Sequence, residues 1–354
     1  MKTRAVVALF AFACMVTACG GGDGSNSTPA PGTSSAIATP SISATSTPAP
    51  TTTPVSGGIS IVGTSISEYG TVTAASGPFG IAQGPDGNIW FTEHAVAKVG
   101  SISPSGTLGA EYPVAGGVLD DITAGSDGAL WIADQSLPGV DRVTTTGSLA
   151  TYAVLASAFG ITSDANGLLW MTVPSTRAVA NMTVGGIETT VGVTFSGTAK
   201  SIVAGGDGAI WFTEGGYVGR YNPSDSSVAN VTVPNSGTAE YIASGADGAI
   251  WFTAQGSSPF IGRIAFNGDG PFTVTTYALS ASAQPNGITA GADNAMWFVD
   301  AGTNTIGRIS TSSHTITSDA IPTASSGVQE IVRGADGSFW FTENSQSKIG
   351  HVSF

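Results

Sequence analysis

Cysteine is nearly missing from this chain: Cys14 and Cys19 are the only two among 354 residues. Charge is sparse too, at 10% of residues where about 25% is usual. Lysine and arginine together number 11 and histidine 3. The shortage of basic residues argues against a nucleic-acid partner, because phosphate binding needs clustered Lys and Arg. No Cys/His cluster has metal-ligand spacing. Three scattered histidines support no Ser/His/Asp arrangement, and no glycine-rich phosphate loop opens a helix. Surface helices are excluded in bulk, since they need the Glu, Lys, Arg and Gln that are scarce here. The abundant residues are Ala, Val, Ser, Thr and Gly, with 49 glycines and a net charge of −13. That mixture favours strands and tight turns.

The first segment reads as an address. Lys2 and Arg4 precede an apolar run, Ala5–Val16, of secretory length and too short to span a bilayer comfortably. The run ends in Val16-Thr17-Ala18-Cys19-Gly20, which resembles a bacterial lipoprotein signal. On that reading 1–18 is a signal peptide, Cys19 carries lipid, and the only membrane contact is this anchor on the exported, envelope-bound protein. The alternative is an ordinary cleaved signal that leaves the protein free. Residues 19–57 are Gly, Ser, Thr, Pro and Ala with one charge, Asp23. Such a stretch cannot bury enough surface to offset its ordering entropy. We read it as a disordered tether with a coil reach of roughly 30–40 Å.

Residues 58–354 are one repeat read seven times. The tryptophans are Trp90, Trp131, Trp170, Trp211, Trp251, Trp297 and Trp340, spaced by 41, 39, 41, 40, 46 and 43 residues. A period near 40 with short strands predicts an all-β, seven-bladed propeller with four strands per blade. Each unit has an upstream Ile (Ile81, Ile122, Ile161, Ile202, Ile242, Ile288, Ile331), expected on the innermost strand. An Asp-Gly or related hairpin follows, then Ile-Trp-Phe-Thr as second strand, then Ile-Gly-Arg-Ile as third. The tryptophans are expected to pack between neighbouring blades. The last blade reads only three strands, to Lys348–Phe354, and Thr64–Tyr69 reads as its missing fourth. The N-terminal strand is therefore predicted to close the ring and remove two exposed edges, in a monomer.

Asp-Gly-x-Ile-Trp-Phe-Thr-Glu followed by Ile-Gly-Arg-Ile resembles the streptogramin B lyases (virginiamycin B lyases) and their propeller relatives. The resemblance covers everything beyond the tether. It implies a C–O lyase that opens a cyclic depsipeptide by elimination with Mg²⁺, which needs a base beside a carbonyl and a cation for the enolate. The family's histidines lie in phrases such as Pro-His-Gly-Ile. Here those places hold Asn286 and Gln329, neither of which accepts a proton near neutral pH. The position of a family Glu is Gly327, and Glu343 is the one remaining catalytic candidate.

Topology gathers two residue sets at one end of the ring. The second strands finish at Glu93, Asp134, Val173, Glu214, Ala254, Asp300 and Glu343. The first strands begin at Phe79, Asp120, Phe159, Lys200, Glu240, Asn286 and Gln329. Crowded carboxylates raise each other's pKa or recruit a cation, so this face is expected to take a cation or a cationic or polyhydroxylated ligand. Alternatively Arg142, Arg220, Arg263 and Arg308, which share one repeat position, pair with the strand-end acids in a structural ring. Three functions stay open: a binding or scaffold propeller with a small molecule, glycan or envelope protein as partner; a divergent Mg²⁺-dependent lyase acting on a cyclic depsipeptide or lactone; and a purely structural envelope domain. No cofactor is required by the first and third.

Overall fold

The computed structural model describes residues 61–354 except 62, 137, 155, 192–196 and 267–270, together with the backbone of a two-residue strand at Thr45–Ser46. Cys19, the leader and most of the proposed tether lie outside the described residues.

Seven four-stranded antiparallel sheets follow one another along the chain. Blade 1 is Pro78–Gln83, Ile89–Glu93, Lys98–Ile102 and Tyr112–Pro113. Blade 2 is Leu119–Ala124, Ala129–Asp134, Gly139–Thr144 and Leu149–Ala153. Blade 3 is Ile161–Ser163, Leu169–Val173, Ala178–Met182 and Glu188–Val191. Blade 4 is Ile202–Ala204, Ile210–Thr213, Tyr217–Asn222 and Ser227–Thr232. Blade 5 is Thr238–Ser244, Ile250–Gln255, Phe260–Ala265 and Thr273–Ala278, with Thr45–Ser46 added in parallel at its outer edge. Blade 6 is Pro285–Ala290, Ala295–Asp300, Thr305–Ser310 and Ile316–Ala320. Blade 7 is Val328–Arg333, Phe339–Glu343, Lys348–Ser353 and, from the other end of the chain, Ser65–Gly70. That last strand lies beside Lys348–Ser353 as predicted and pairs antiparallel, Ser65 opposite Ser353 and Gly70 opposite Lys348. The first strands of successive blades neighbour one another all the way round, blade 7 returning to blade 1. The chain thus folds into a seven-bladed propeller closed by its N-terminal strand.

Each tryptophan is buried and works between blades, as its spacing predicts. Trp90 packs with Leu119, Ile122 and Leu130 of blade 2, Trp211 with Ile242 and Phe252 of blade 5, and Trp340 with Ile81 and Phe91 of blade 1 across the closure. Truncation of such a ring to Ala costs about 3–5 kcal/mol. The indole N–H is satisfied from the adjoining hairpin. Trp90, Trp131, Trp211, Trp251 and Trp297 donate to Asp86, Asp127, Asp207, Asp247 and Asp293 at 3.0–3.3 Å. In blade 3 the acceptor is Asp164, two residues before Asn166, and in blade 7 it is the Ser338 hydroxyl.

The same hairpin acids hold the arginines. Arg142, Arg220, Arg263 and Arg308 reach Asp127, Asp207, Asp247 and Asp293 at 2.6, 3.0, 2.8 and 2.7 Å. Three of the guanidinium groups also lie over the tryptophan of their own blade at 5.7–5.9 Å. The arginines therefore form a salt-bridge ring with the turn acids, at the end of the blades opposite the strand-end acids. The pairing expected between arginines and strand-end acids is corrected accordingly. The physical reason is direction: a third-strand side chain opposite Trp leans toward the hairpin where the indole already fixes a carboxylate.

A second ring of bonds uses the Thr of Ile-Trp-Phe-Thr. Thr92 accepts the Gly80 N–H at 2.8 Å and donates to the Asp120 carbonyl of blade 2 at 2.7 Å. Thr172, Thr213 and Thr342 do the same toward Lys200, Glu240 and Phe79. These hydroxyls join blades 1, 3, 4 and 7 to the blades that follow them. Blades 2 and 6 carry Ala133 and Val299 in this place.

Candidate functional site

Five of the seven blades have a bulge where the first strand begins: between Pro78 and Ile81, Leu119 and Ile122, Ala239 and Ile242, Pro285 and Ile288, and Val328 and Ile331. The extra residue breaks the two-residue alternation and sets which side chains face the axis. The channel wall is therefore built from the residue just before each Ile. In blades 2, 4, 5 and 7 that residue is Asp121, Ser201, Tyr241 or Glu330, and in blade 6 it is Gly287. In blade 1 it is Gly80, where a Cβ would collide with the backbone of Asp120 and Asp121.

The channel is a cavity of about 470 Å³. Asp121 accepts the N–H groups of Ile122 and Ile161 at 2.8 and 2.9 Å, and Glu330 accepts that of Ile81 at 3.2 Å. Each acid so caps the next blade's inner strand. Burial, opposed by those two N–H bonds, pushes Asp121 up to about 7. Burial first, then the nearby Asp121, pushes Glu330 well above the usual carboxylate range. Sequence reasoning missed both acids and Tyr241. It named the residues entering the first strands, Asp120, Glu240 and Gln329 among them, and did not consider the next residue along.

The predicted strand-end acids do reach one end of the ring, since Pro78, Leu119, Pro285 and Val328 pair with Glu93, Asp134, Asp300 and Glu343. Their side chains do not line an open funnel. Glu93, Asp134, Glu214, Asp300 and Glu343 are all buried. Asp134 Oδ1 accepts the Val118 and Ser136 N–H groups and the Ser136 hydroxyl at 2.7–3.0 Å. Asp300 Oδ1 accepts from Gln284, Gly302 and Thr303 at 2.8–3.1 Å, and Glu214 accepts the Gly197 N–H at 3.0 Å. These three acids organise loops.

Glu93 and Glu343 form twin clusters in adjacent blades. Lys98 reaches Glu111 at 2.8 Å and Thr73 at 2.6 Å, and Thr73 donates twice to Glu111. Lys348 reaches Glu68 at 3.1 Å and Thr323 at 2.5 Å, and Thr323 donates twice to Glu68. In each case the second glutamate lies behind this charged pair with both oxygens enclosed and without a well-formed hydrogen bond. Burial, reinforced by Glu111, pushes Glu93 up to about 7. Burial, reinforced by Glu68, pushes Glu343 up to about 8. Glu343 is therefore mostly a carboxylic acid at neutral pH, and Glu93 stands near its midpoint there.

The open mouth belongs to the first-strand set. Phe79 and Phe159 meet edge to face at 6.3 Å, and His94 lies against Phe79 at 5.5 Å. His94 Nδ1 is 3.0 Å from the Leu119 carbonyl and 3.4 Å from Asp120 Oδ1. The Asp120 hydrogen bond holds the His94 pKa up, while burial raises that of Asp120. Lys200 pairs with Glu240 at 2.7 Å. Asn286 donates to the Val328 carbonyl at 2.7 Å and accepts from Gln255 at 2.9 Å, which spends its amide on joining blades 5, 6 and 7. Gln329 is half-buried beside it in sequence order round the ring. One flank is thus aromatic and the other is amide and ion pair. Among the described residues no group of three or more His, Cys, Asp or Glu is placed to hold a metal ion. With Glu343 sealed and Asn286 engaged, the residues at the mouth do not fit Mg²⁺. Among the described residues no helix is long and apolar enough to cross a membrane.

A closed ring of seven four-stranded sheets defines the class: a seven-bladed β-propeller. The profile of the virginiamycin B lyase family matches residues 55–189 and 121–354, so the chain belongs to that family. Among solved structures it is similar to a streptogramin B lyase, at 29% identity and TM-score 0.74, covering 82% of this chain and 97% of that one. It is similar also to virginiamycin B lyase from Staphylococcus aureus, at 27% identity and TM-score 0.73 over 82% and 99% of the two chains. A catalytically inactive histidine-to-alanine form of that enzyme, with quinupristin, matches equally. An extracellular domain of a hybrid two-component system from B. thetaiotaomicron, 17% identical with TM-score 0.61 over 78% of this chain and 40% of that one, shares the fold alone. No curated protein matches the chain.

Proposed function

We propose that this chain is an exported, lipid-anchored envelope propeller whose mouth binds a ligand without the family's elimination chemistry. One observation carries the reading. Asn286, at the place of a family histidine, has both ends of its amide bonded between blades, and it cannot take a proton. Gln329, at the place of the other, shares that incapacity. Glu343 stays protonated in a sealed site, so it offers no free base and no cation ligand. What remains at the mouth is a recognition surface. Phe79 and Phe159 offer an apolar platform, Lys200–Glu240 a charged edge, and Gln329 a donor and an acceptor. This suits a small polar ligand or a glycan, with Cys19 and the tether holding the ring clear of the bilayer.

The test is an elimination assay on a streptogramin B, with Mg²⁺ and with EDTA, read by mass spectrometry of the opened ring. No metal-dependent product is expected. Turnover that disappears in Glu343→Gln would overturn the proposal. Anchoring is checked by fractionation, with Cys19→Ser expected to move the protein from membrane to soluble fraction.

One observation favours a second reading, a divergent C–O lyase. The His94–Asp120 pair sits at the mouth beside Phe79, and an imidazole oriented by a carboxylate is a competent general base. Turnover abolished by His94→Asn but kept by Glu343→Gln would establish that reading.

A further inference from the structure

One fourth-strand position varies round the ring: it holds Tyr in blades 1, 2, 5 and 7, Val191 and Val231 in blades 3 and 4, and Asp319 in blade 6. In blades 1, 2, 5 and 7 a fourth-strand tyrosine packs on the tryptophan of its own blade: Tyr112 on Trp90, Tyr277 on Trp251 and Tyr69 on Trp340 stacked, and Tyr152 tilted on Trp131, at 5.0–6.0 Å. The hairpin joining strands three and four of the following blade then closes over the tyrosine. Gly147 lies so close to Tyr112, and Gly106 to Tyr69, that a Cβ at either would strike the ring. His314 does the same work over Tyr277 at 4.8 Å. Blade 7 has no such hairpin, because its fourth strand is Ser65–Gly70. Correspondingly, blade 6 has Asp319 where the tyrosine belongs, opposite Ile306. Asp319 instead takes the Ile61 N–H at 3.1 Å and the Thr64 hydroxyl at 2.5 Å.

Exchanging a tyrosine and a hairpin for Ile61 leaves a cavity of about 580 Å³ between blades 6 and 7. This is within the range of about 300–1,000 Å³ seen for small-molecule sites. Its apolar wall is Trp297 stacked on Phe339 at 4.5 Å, with Phe354 edge-on to both at 5.4 and 6.0 Å. Phe354 is 67% exposed, so its ring can be covered by a ligand. The polar wall holds Arg308 with its partner Asp293, and Asp336. Thr317 also lines the cavity, and its hydroxyl is buried with no partner. A buried hydroxyl without a partner carries a desolvation cost that a ligand hydroxyl would relieve.

We propose that this seam cavity is a sugar-ring subsite. An apolar ring face can lie on Phe354 while ring hydroxyls meet the carboxylates, the guanidinium and the Thr317 Oγ1. Two carboxylates against one guanidinium disfavour phosphate. A purely apolar ligand would leave Asp336 and Thr317 desolvated.

The test uses the whole exported chain with triacetylchitotriose, maltotriose and xylotriose as probes, by calorimetry and saturation-transfer NMR. Benzyltrimethylammonium and inorganic phosphate serve as competing chemistries. At least one trisaccharide is expected to bind, with Phe354→Ala weakening it about fivefold to tenfold. Thr317→Val should weaken it about threefold to tenfold, and Leu149→Ala on the exposed outer strand of blade 2 should leave it unchanged. Phe354 is largely exposed, so its variant keeps the fold, as a melting curve verifies. Binding lost in Phe79→Ala but kept in Phe354→Ala would place the sugar at the mouth and overturn the seam site. Absence of binding by all three sugars, or binding only of the ammonium ion or phosphate, overturns it as well.

Discussion

Replacing Glu343 by Gln tests the buried-acid clusters most directly, because the change keeps shape and removes only the titration. In the folded ring the Glu343 pKa lies at about 8, against an ordinary 4.5. Burial is the main cause and the neighbouring Glu68 adds to it, while Lys348 opposes both. The gap corresponds to on the order of 4–5 kcal/mol. Its sign follows from which state holds the proton. Below pH 4.5 both states are protonated and the contribution of the acid to stability is intact. Above pH 4.5 the unfolded chain releases its proton while the folded ring keeps it, so unfolding gains ground until about pH 8, and the loss then levels off. The Gln variant has no such loss. Urea unfolding of both proteins should therefore give nearly equal stabilities at pH 4, with the variant pulling ahead by about 1.4 kcal/mol per pH unit across that window. A difference between variant and parent that stays flat from pH 4 to 9 would refute the buried, protonated assignment. The consequence is more than local, since Glu68 sits on Ser65–Gly70, the strand that closes the ring. Ionising Glu343 places a second negative charge against that strand.

Glu93→Gln should show the same behaviour over a narrower window, ending near pH 7, with a total of about 3 kcal/mol. Asp319→Ala removes the acceptor for Ile61 and Thr64 and should destabilise the closure by about 1–3 kcal/mol, read as a lower melting temperature and faster proteolysis near residue 64. Asp247→Asn strips Arg263 of its ion pair while keeping an acceptor for Trp251, and should cost about 1–2 kcal/mol by denaturant titration. Thr213→Val cuts the bond from blade 4 to Glu240 and leaves the Ser201 N–H unmet, for a loss of about 1–3 kcal/mol. The same substitution should be unnecessary in blades 2 and 6, which carry Ala133 and Val299 at that place.

How much of this was legible depends on whether a residue's role is local. The tryptophans, the hairpins and the closing strand could be read because each follows from spacing, turn chemistry or strand count, which the chain states directly. The partner of Arg142 could not be read from spacing. Asp127 and Asp134 are both in its blade, and only the lean of a third-strand side chain toward the hairpin selects Asp127. The mouth was misjudged for a related reason. Glu93 and Glu343 stand at the right end of their strands, but strand order says nothing of which sheet face a side chain takes, and both faces here are covered by neighbouring blades. Asp121 and Glu330 were missed because the bulge before each inner Ile inserts a residue that hydrophobic alternation cannot reveal. One signal was available. Where blades 1, 3 and 6 have Gly before the Ile, blades 2 and 7 have Asp121 and Glu330, and a position that swings between no side chain and an acid is one where backbone and side chain compete for the same space. In blade 1 the competitor is visible: Gly80 yields to the backbone at Asp120 and Asp121, and the neighbouring Asp121 carboxylate takes the channel. A repeat therefore discloses its axis through its smallest residues, and reading the glycines in register with their neighbours would have found the channel acids that the carboxylates at the strand ends concealed.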